Sequence, residues 1–493
     1  MGYDRRTLEP SDIKRGEERV GRADASSFAR LLSTGLTGLL IIGVGIAVLS
    51  VDVFPVVTND SVLYLEHSRD LGQGGLVQYG YRQVGYPLFL ATTRTVANVF
   101  GMEPLLTAVV VQRLLLLIAA FLAWRLWKWW SVPVLALAFS PHILAFANLL
   151  LTEALALSLA LLLIYPTVRY LRLLGSGTER AERRRAGWLG LAIVSLVVAL
   201  FSLRFTYAVF AAVPLVLLGA SWRTPYRRSA FGTLGASIVL MGVFVFTMAA
   251  ENDDEFGVFS PNVQGEAVEW YYAWQQVFTL HPENQGNPDL ELFYDSGFVH
   301  DFNREAGAMG LSHEERSAAY DREVESMFDA AGIDLLSSKA KSALHSLTGG
   351  RLHDTGGVIN AILASDEVNK ELLYLNEYAQ REGPEAFEQE HNDGRAAGAI
   401  VFGWAVPSPI PSTKALVSVL LPVGLLAMLV GVAFRDTRPL SVMGLLVVVA
   451  FAAGMGWIWA DNLRFLLPTS AFGIAAGSGV AHDLARLRRR QPV

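Results

Sequence analysis

The chain has 493 residues, no cysteine, 52% hydrophobic and only 17% charged residues, and its 46 acids against 40 bases give a formal net charge of −6. Soluble domains carry roughly one quarter charged residues, so this composition argues against a disordered chain, a disulfide-stapled secreted module and a nucleic-acid binder with a broad basic face. A polytopic membrane protein is the class that remains.

Crossing roughly 30 Å of hydrocarbon as a helix takes about 20 apolar residues. After a basic N-terminal stretch, 1–28, such runs occur at 29–51, 105–124, 131–149, 151–168, 187–203, 205–221, 229–250, 413–434, 439–459 and 464–481. The first is longer than a signal-peptide core and lacks a small-residue cleavage site, so it reads as a retained helix. The fold class expected is an all-α polytopic membrane protein of about ten transmembrane helices with both termini inside. Lysine and arginine in short loops resist translocation and fix that orientation. Arg5, Arg6, Lys14 and Arg15 precede the first span, and Arg125 and Lys128 follow the second. Arg183 to Arg185, Arg227 and Arg228, Arg435 and Arg438, and Arg488 to Arg490 fall in the other inside segments. Trp124, Trp127, Trp129 and Trp130 are expected at the inner interface, Trp457 and Trp459 at the outer one.

Two segments are left outside. One is the loop 52–104 that follows the first span, within a transmembrane module covering 29–250. The other is 251–412, whose apolar residues recur every three or four positions in Tyr320 to Leu347 and Asp366 to Gln380, so a mainly helical extracytoplasmic insert is expected. Spans eight to ten occupy 413–481, and 482–493 form a basic cytoplasmic tail. The stretches 85–99 and 399–411 are too short to span and are expected along the membrane surface. The charge is unevenly divided: the insert holds 29 acids and 9 bases and the rest 17 acids and 31 bases. An acidic external domain is thus set on a basic, inside-positive anchor.

The sequence has no Walker loop, no HExxH, no paired CxxC and no nucleophile elbow. Its informative groups are ionisable residues near the outer face, where an unpaired charge is costly. Asp60, shortly after the first span, is placed either to cap a helix beginning at Ser61 or to accept a proton from a hydroxyl. Arg113 lies inside the second span, Glu153 opens the fourth, Arg204 stands between the fifth and sixth, and Arg464 opens the tenth. Two arginines beside a cavity suit a phosphate, whose oxygens they pair bidentately. Snorkelling helix ends or an internal Glu153–Arg204 pair are the alternatives. Glu251 to Glu255 form an acidic run open to calcium or simply to solvent. His281, His300, His313 and His353 lack metal-ligand spacing, and Trp270, Tyr271, Tyr272 and Trp274 suit a core or a sugar platform.

In order and side, these parts resemble the GT-C superfamily of integral-membrane glycosyltransferases, such as protein O-mannosyltransferases, lipid A aminoarabinose transferases and arabinofuranosyltransferases. Asp60 and Tyr64 match a D-x-x-x-Y context after the first helix. Arg82-Gln83-Val84-Gly85-Tyr86-Pro87-Leu88 is similar to R-x-P-x-Y-P-L, with Val84 in place of the first proline. Leu151-Thr152-Glu153-Ala154-Leu155 resembles the acidic start of the fourth helix, and Leu203-Arg204-Phe205-Thr206-Tyr207 the basic turn before the sixth. Asn462-Leu463-Arg464-Phe465-Leu466-Leu467-Pro468 resembles an R-[FY]-x-x-P segment. The match covers 29 to about 250 and 413 to 481.

The resemblance implies a polyprenyl-phosphate sugar donor and a glycan, lipid or protein acceptor at the outer face of the plasma membrane, with no nucleotide sugar. It implies Asp60 as base, with Arg204, Arg464 and Arg82 on the donor phosphate. Tyr64, Tyr86, Glu153 and Tyr207 would form the pocket. Some members hold a divalent cation on a second carboxylate, and none matches here, so no metal ligands are assigned. A transporter or flippase is the main rival, but the sequence shows no internal repeat and its charges gather at one face. An O-antigen-ligase-like transferase is a second rival.

Overall fold

The computed structural model describes residues 59–72, 83–175, 180–256, 259–261, 336–344, 413–457 and 463–488, together with scattered positions between 37 and 56 and between 315 and 347. Most of the first span, the histidines and aromatic group of the insert, the stretch 399–411 and Trp459 lie outside the described residues. Among those described, the elements are α1 (Asn59–Gly72), α2 (Gly85–Phe100), α3 (Pro104–Trp127), α4 (Val132–Ala138), α5 (Pro141–Phe146), α6 (Thr152–Leu173) and α7 (Arg180–Leu203). They continue with α8 (Ala212–Ser221), α9 (Arg227–Phe256), α10 (Thr413–Gly431), α11 (Arg438–Trp457) and α12 (Leu463–Arg488). Short 3₁₀ turns, Lys128–Ser131 and Phe205–Ala211, precede α4 and α8.

The described residues contain five helical stretches long and apolar enough to cross a membrane: Pro104–Ala138, Thr152–Leu173, Arg180–Leu203, Arg227–Asp254 and Arg438–Met455. Phe205–Ser221 and Ala415–Gly431 are shorter apolar helices. The expected continuous span at 131–149 is corrected. Lys128 takes a left-handed φ of 53° and ends α3. The chain then returns as the 3₁₀ turn, α4, and α5 with Pro141 in its first turn and the Ser140 hydroxyl accepting from the Ile143 N–H. Leu149 is paired in extended form with Val56. Proline cannot supply a helical N–H, and a helix usually stops before it. The broken segment still climbs far: Gln112, on α3, donates from Nε2 to the carbonyls of Ala147 and Leu149 at 3.1 and 3.2 Å. Gln112 stands fifteen residues before Trp127, roughly 22 Å along the helix.

The helix α6 is the hub, packing on α3, α7 and α12. Its apolar window is 72% buried, whereas that of α9 is 22% buried, as expected of a helix facing lipid on most sides. On α12, Gly473 and Gly477 lie one turn apart on the face against α10. A Cβ on Gly477 would meet Gly424 Cα at 2.4 Å, so these helices approach as closely as backbone permits. Small residues serve that purpose between membrane helices, where lipid supplies no hydrophobic drive to association. Trp127, the last residue of α3, is buried inside the protein, and Gly479 of α12 makes room for its ring. Trp129 and Trp130 are exposed, and Trp124 is half-buried.

Candidate active site

Five segments far apart in sequence converge where α6 begins and α7 ends. Leu151 is extended, and α6 starts at Thr152 without a side-chain cap, which leaves the first turn free to carry Glu153 inward. Arg204 closes α7 in extended conformation, and its carbonyl accepts from the Tyr207 N–H at the start of the next turn. Arg204 Nη2 lies 2.8 Å from Glu153 Oε1; the Glu153 side chain has no solvent exposure, while the Arg204 side chain keeps 20% of its own. Thr152 joins them. Its hydroxyl donates to Glu153 Oε2 at 2.9 Å and accepts from Arg204 Nε at 3.3 Å. Two oxygens, Glu153 Oε1 and Thr152 Oγ1, thus fix the plane of the guanidinium.

Tyr86 is brought to this pair by Gly85. A Cβ there would lie 2.5 Å from the Ser202 carbonyl carbon and oxygen, so only glycine lets the start of α2 pass against the last turn of α7. The Tyr86 ring is fully buried and meets Tyr64 edge-on at 5.1 Å, tying α1 to α2. Its hydroxyl donates to Gln112 Oε1 at 2.8 Å. Burial first, then the neighbouring Tyr64 and the negative charge of Glu153, hold the Tyr86 hydroxyl well above its ordinary pKa, so it stays a protonated donor. Gln112 is a site residue that no motif marks. Its signal is an amide standing in the apolar run Val109-Val110-Val111-Gln112-Arg113-Leu114, where an unpaired polar group is costly and calls for partners.

Asp60 lies in the first turn of α1, one residue inside a helix that begins at Asn59 rather than after it at Ser61. The segment before it is tied down: Val56 N–H donates to the Asn148 carbonyl at 2.9 Å, and the Leu150 N–H donates to Val56 at 3.0 Å. Asp60 and Glu153 each follow that ladder by about four residues, so each backbone lies within roughly 14 Å of it. The side chains of Asp60 and Arg464 and the whole of Arg82 lie outside the described residues; Arg464 opens α12 one residue after its start. Tyr207 is fully buried, stacked on Phe451 at 5.9 Å and tilted against Phe210, and it packs the core at that turn. Arg113 is occupied elsewhere, donating from Nη1 to the Val51 carbonyl at 2.8 Å.

No protein-family model and no curated protein matches the chain. Among solved structures it is similar to ArnT from Cupriavidus metallidurans in the apo state, at 14% identity over 90% of this chain and 78% of that one, with a TM-score of 0.31. A likeness that low carries no weight for the site.

The described residues contain no group of three or more His, Cys, Asp or Glu able to hold a metal. The acidic run beginning at Glu251 forms the last turns of α9, with Asp253 and Asp254 exposed to solvent. What the described site offers is therefore an oriented guanidinium, a buried carboxylate, a hydroxyl and two phenol rings packed edge-on, near the first turn of a helix bearing a second carboxylate.

Proposed function

We propose that the protein is an integral-membrane glycosyltransferase of the GT-C kind. It moves a monosaccharide from a polyprenyl-monophosphate carrier to a hydroxyl of a cell-envelope glycan, lipid or protein at the outer face of the plasma membrane. The observation that carries this reading is the Glu153–Arg204 pair, with Thr152 and Tyr86 beside it, at the junction of α2, α6 and α7. Burying a charge pair often costs as much as it returns, so a pair held this way in an apolar bundle points to function rather than to stability.

The chemistry follows from the residues. Arg204, oriented by Glu153 and Thr152, donates to the lipid phosphate. The pair has no net charge, so the positive charge facing the phosphate comes from Arg464 and Arg82. Asp60 accepts the proton of the acceptor hydroxyl while that oxygen attacks the anomeric carbon. The bond from that carbon to the phosphate oxygen breaks with its electron pair, polyprenyl phosphate leaves as a paired anion, and the configuration inverts in one displacement. Tyr64 and Tyr86 wall the sugar.

Transfer of radiolabel from a polyprenyl-phosphate sugar in membranes tests this directly. Asp60→Asn should lower transfer by about a thousandfold with donor binding kept; retained activity removes Asp60 as base. Arg464→Ala should weaken donor binding more than Arg464→Lys, and equal, negligible effects return Arg464 to an ordinary helix end. Counterflow of substrate in liposomes without sugar transfer would instead favour a transporter.

A further inference from the structure

Two neighbouring residues of α3 reach the two strands that lead to the two candidate carboxylates. Gln112 donates to the carbonyls of Ala147 and Leu149, and Arg113 donates from Nη1 to the Val51 carbonyl at 2.8 Å. The strands are themselves joined: Val56 and Leu149 form a parallel bridge, the Val56 N–H donating to the Asn148 carbonyl and the Leu150 N–H to that of Val56. Helix and strands thus close a ring. One strand runs on to Asp60 in α1, the other to Glu153 in α6.

Arg113 is a costly member of this ring. It stands roughly 14 Å along α3 from Pro104, in the run Val109-Val110-Val111-Gln112-Arg113-Leu114, and only 6% of it is exposed. An ionisable group inside an apolar span usually marks a function. Satisfying one carbonyl takes no more than a neutral donor, whereas a guanidinium is a rigid planar fork that fixes direction as well as distance. Val51, Val53 and Val56 are buried too, so the gripped strand lies inside the protein.

The consequence is mechanical. The bridge at Val56 fixes one point of its strand and leaves the direction open. Arg113 grips that strand five residues earlier and Asp60 follows four residues later, arms of at most about 18 and 14 Å. A displacement at Val51 is therefore returned at Asp60 with similar size, and misplacing a reacting group by about 1 Å can cost about a hundredfold in rate. On the other strand Gln112 has the same relation to Glu153, four residues beyond Leu149, and through Glu153 to Arg204.

We propose that Arg113 is a positioning residue for transfer: it holds 51–56 so that Asp60 stands at a fixed distance from Arg204, and it touches neither donor nor acceptor. This rests on Asp60 being the base.

Two measurements on the full-length protein in detergent test the role, one of them without transfer. Hydrogen–deuterium exchange of the peptide 51–60 should rise about tenfold in Arg113→Met, the scale of one charge-assisted hydrogen bond, while peptides of α7 and α12 keep their rates. In the transfer assay the same variant should lose about a hundredfold in kcat with KM for the donor little changed. Arg113→Lys, which keeps a donor for the Val51 carbonyl, should recover most of that loss. A merely structural role would lower the melting temperature and leave kcat per folded molecule at the wild-type value. That result overturns the proposal, as does unchanged exchange at 51–60 or exchange raised equally across the bundle. Asp60→Asn separates the two ways to fail. If it retains transfer, the base and the positioning role fall together; if it abolishes transfer while Arg113→Met keeps wild-type kcat, the base stands and the positioning role is overturned. Should Arg113→Met not fold, Arg113→Gln, with a shorter neutral donor, takes its place with the same expected loss of kcat.

Discussion

The two ends of α6 are set against polar pairs of different kinds. At its start, Glu153 meets Arg204 at 2.8 Å with the carboxylate withdrawn from solvent, and Arg204 also bonds Thr152, 52 positions away. Beyond its other end, His482 Nδ1 and Asp483 Oδ1 of α12 also lie 2.8 Å apart, but they are chain neighbours with 23% and 30% exposure, and the contact is ionic only when the imidazole is protonated. The distances are the same and the consequences are not. Exposed neighbours exchange little with water and contribute about 0–1 kcal/mol. A buried pair joining two helix ends leaves a stranded charge if either partner is lost, which costs several kcal/mol. Distance alone therefore says little about which pair matters.

The largest break should come from Glu153→Leu. It strands Arg204 in a mostly buried position, and thermal unfolding in detergent should show a loss of about 3 kcal/mol. Next, Gln112→Leu takes the acceptor from Tyr86 and the donor from the carbonyls of Ala147 and Leu149; about 2 kcal/mol is expected. Because Gln112 acts through Tyr86, the transfer assay should show a higher KM with kcat less changed, and equal KM would make its role purely structural. Gly85→Ala should cost about 1–2 kcal/mol, by forcing α2 off Ser202, and should lower transfer out of proportion to stability. At the far end, Asp483→Asn should move stability by less than about 0.5 kcal/mol and leave transfer unchanged. A large effect there, or a negligible one at Glu153, would reverse the contrast.

The helical, membrane-crossing character was legible in the sequence because about twenty apolar residues in a row have few other uses. The break at 128–149 was not, although Pro133 and Pro141 stand in plain view, because a hydropathy window measures composition and ignores whether each N–H has a helical partner. The packing of Trp127 was not legible either: an aromatic at a helix end suits an interface, and only the glycine at 479 opposite it reveals that its ring is buried against α12. At the site, Glu153 and Arg204 stand out as charges beside apolar runs, but nothing local says whether each snorkels or pairs with the other. That is set by the packing of α6 against α7. Gln112 has a visible signal as a lone amide in a span.

The central claim, a polyprenyl-phosphate sugar acted on through Asp60, is tested most directly by mass spectrometry of the lipid that co-purifies with the wild-type and Asp60→Asn proteins. The account predicts polyprenyl monophosphate with the wild type and its glycoside, unconsumed, with Asp60→Asn. Bulk phospholipid alone with both proteins would contradict it.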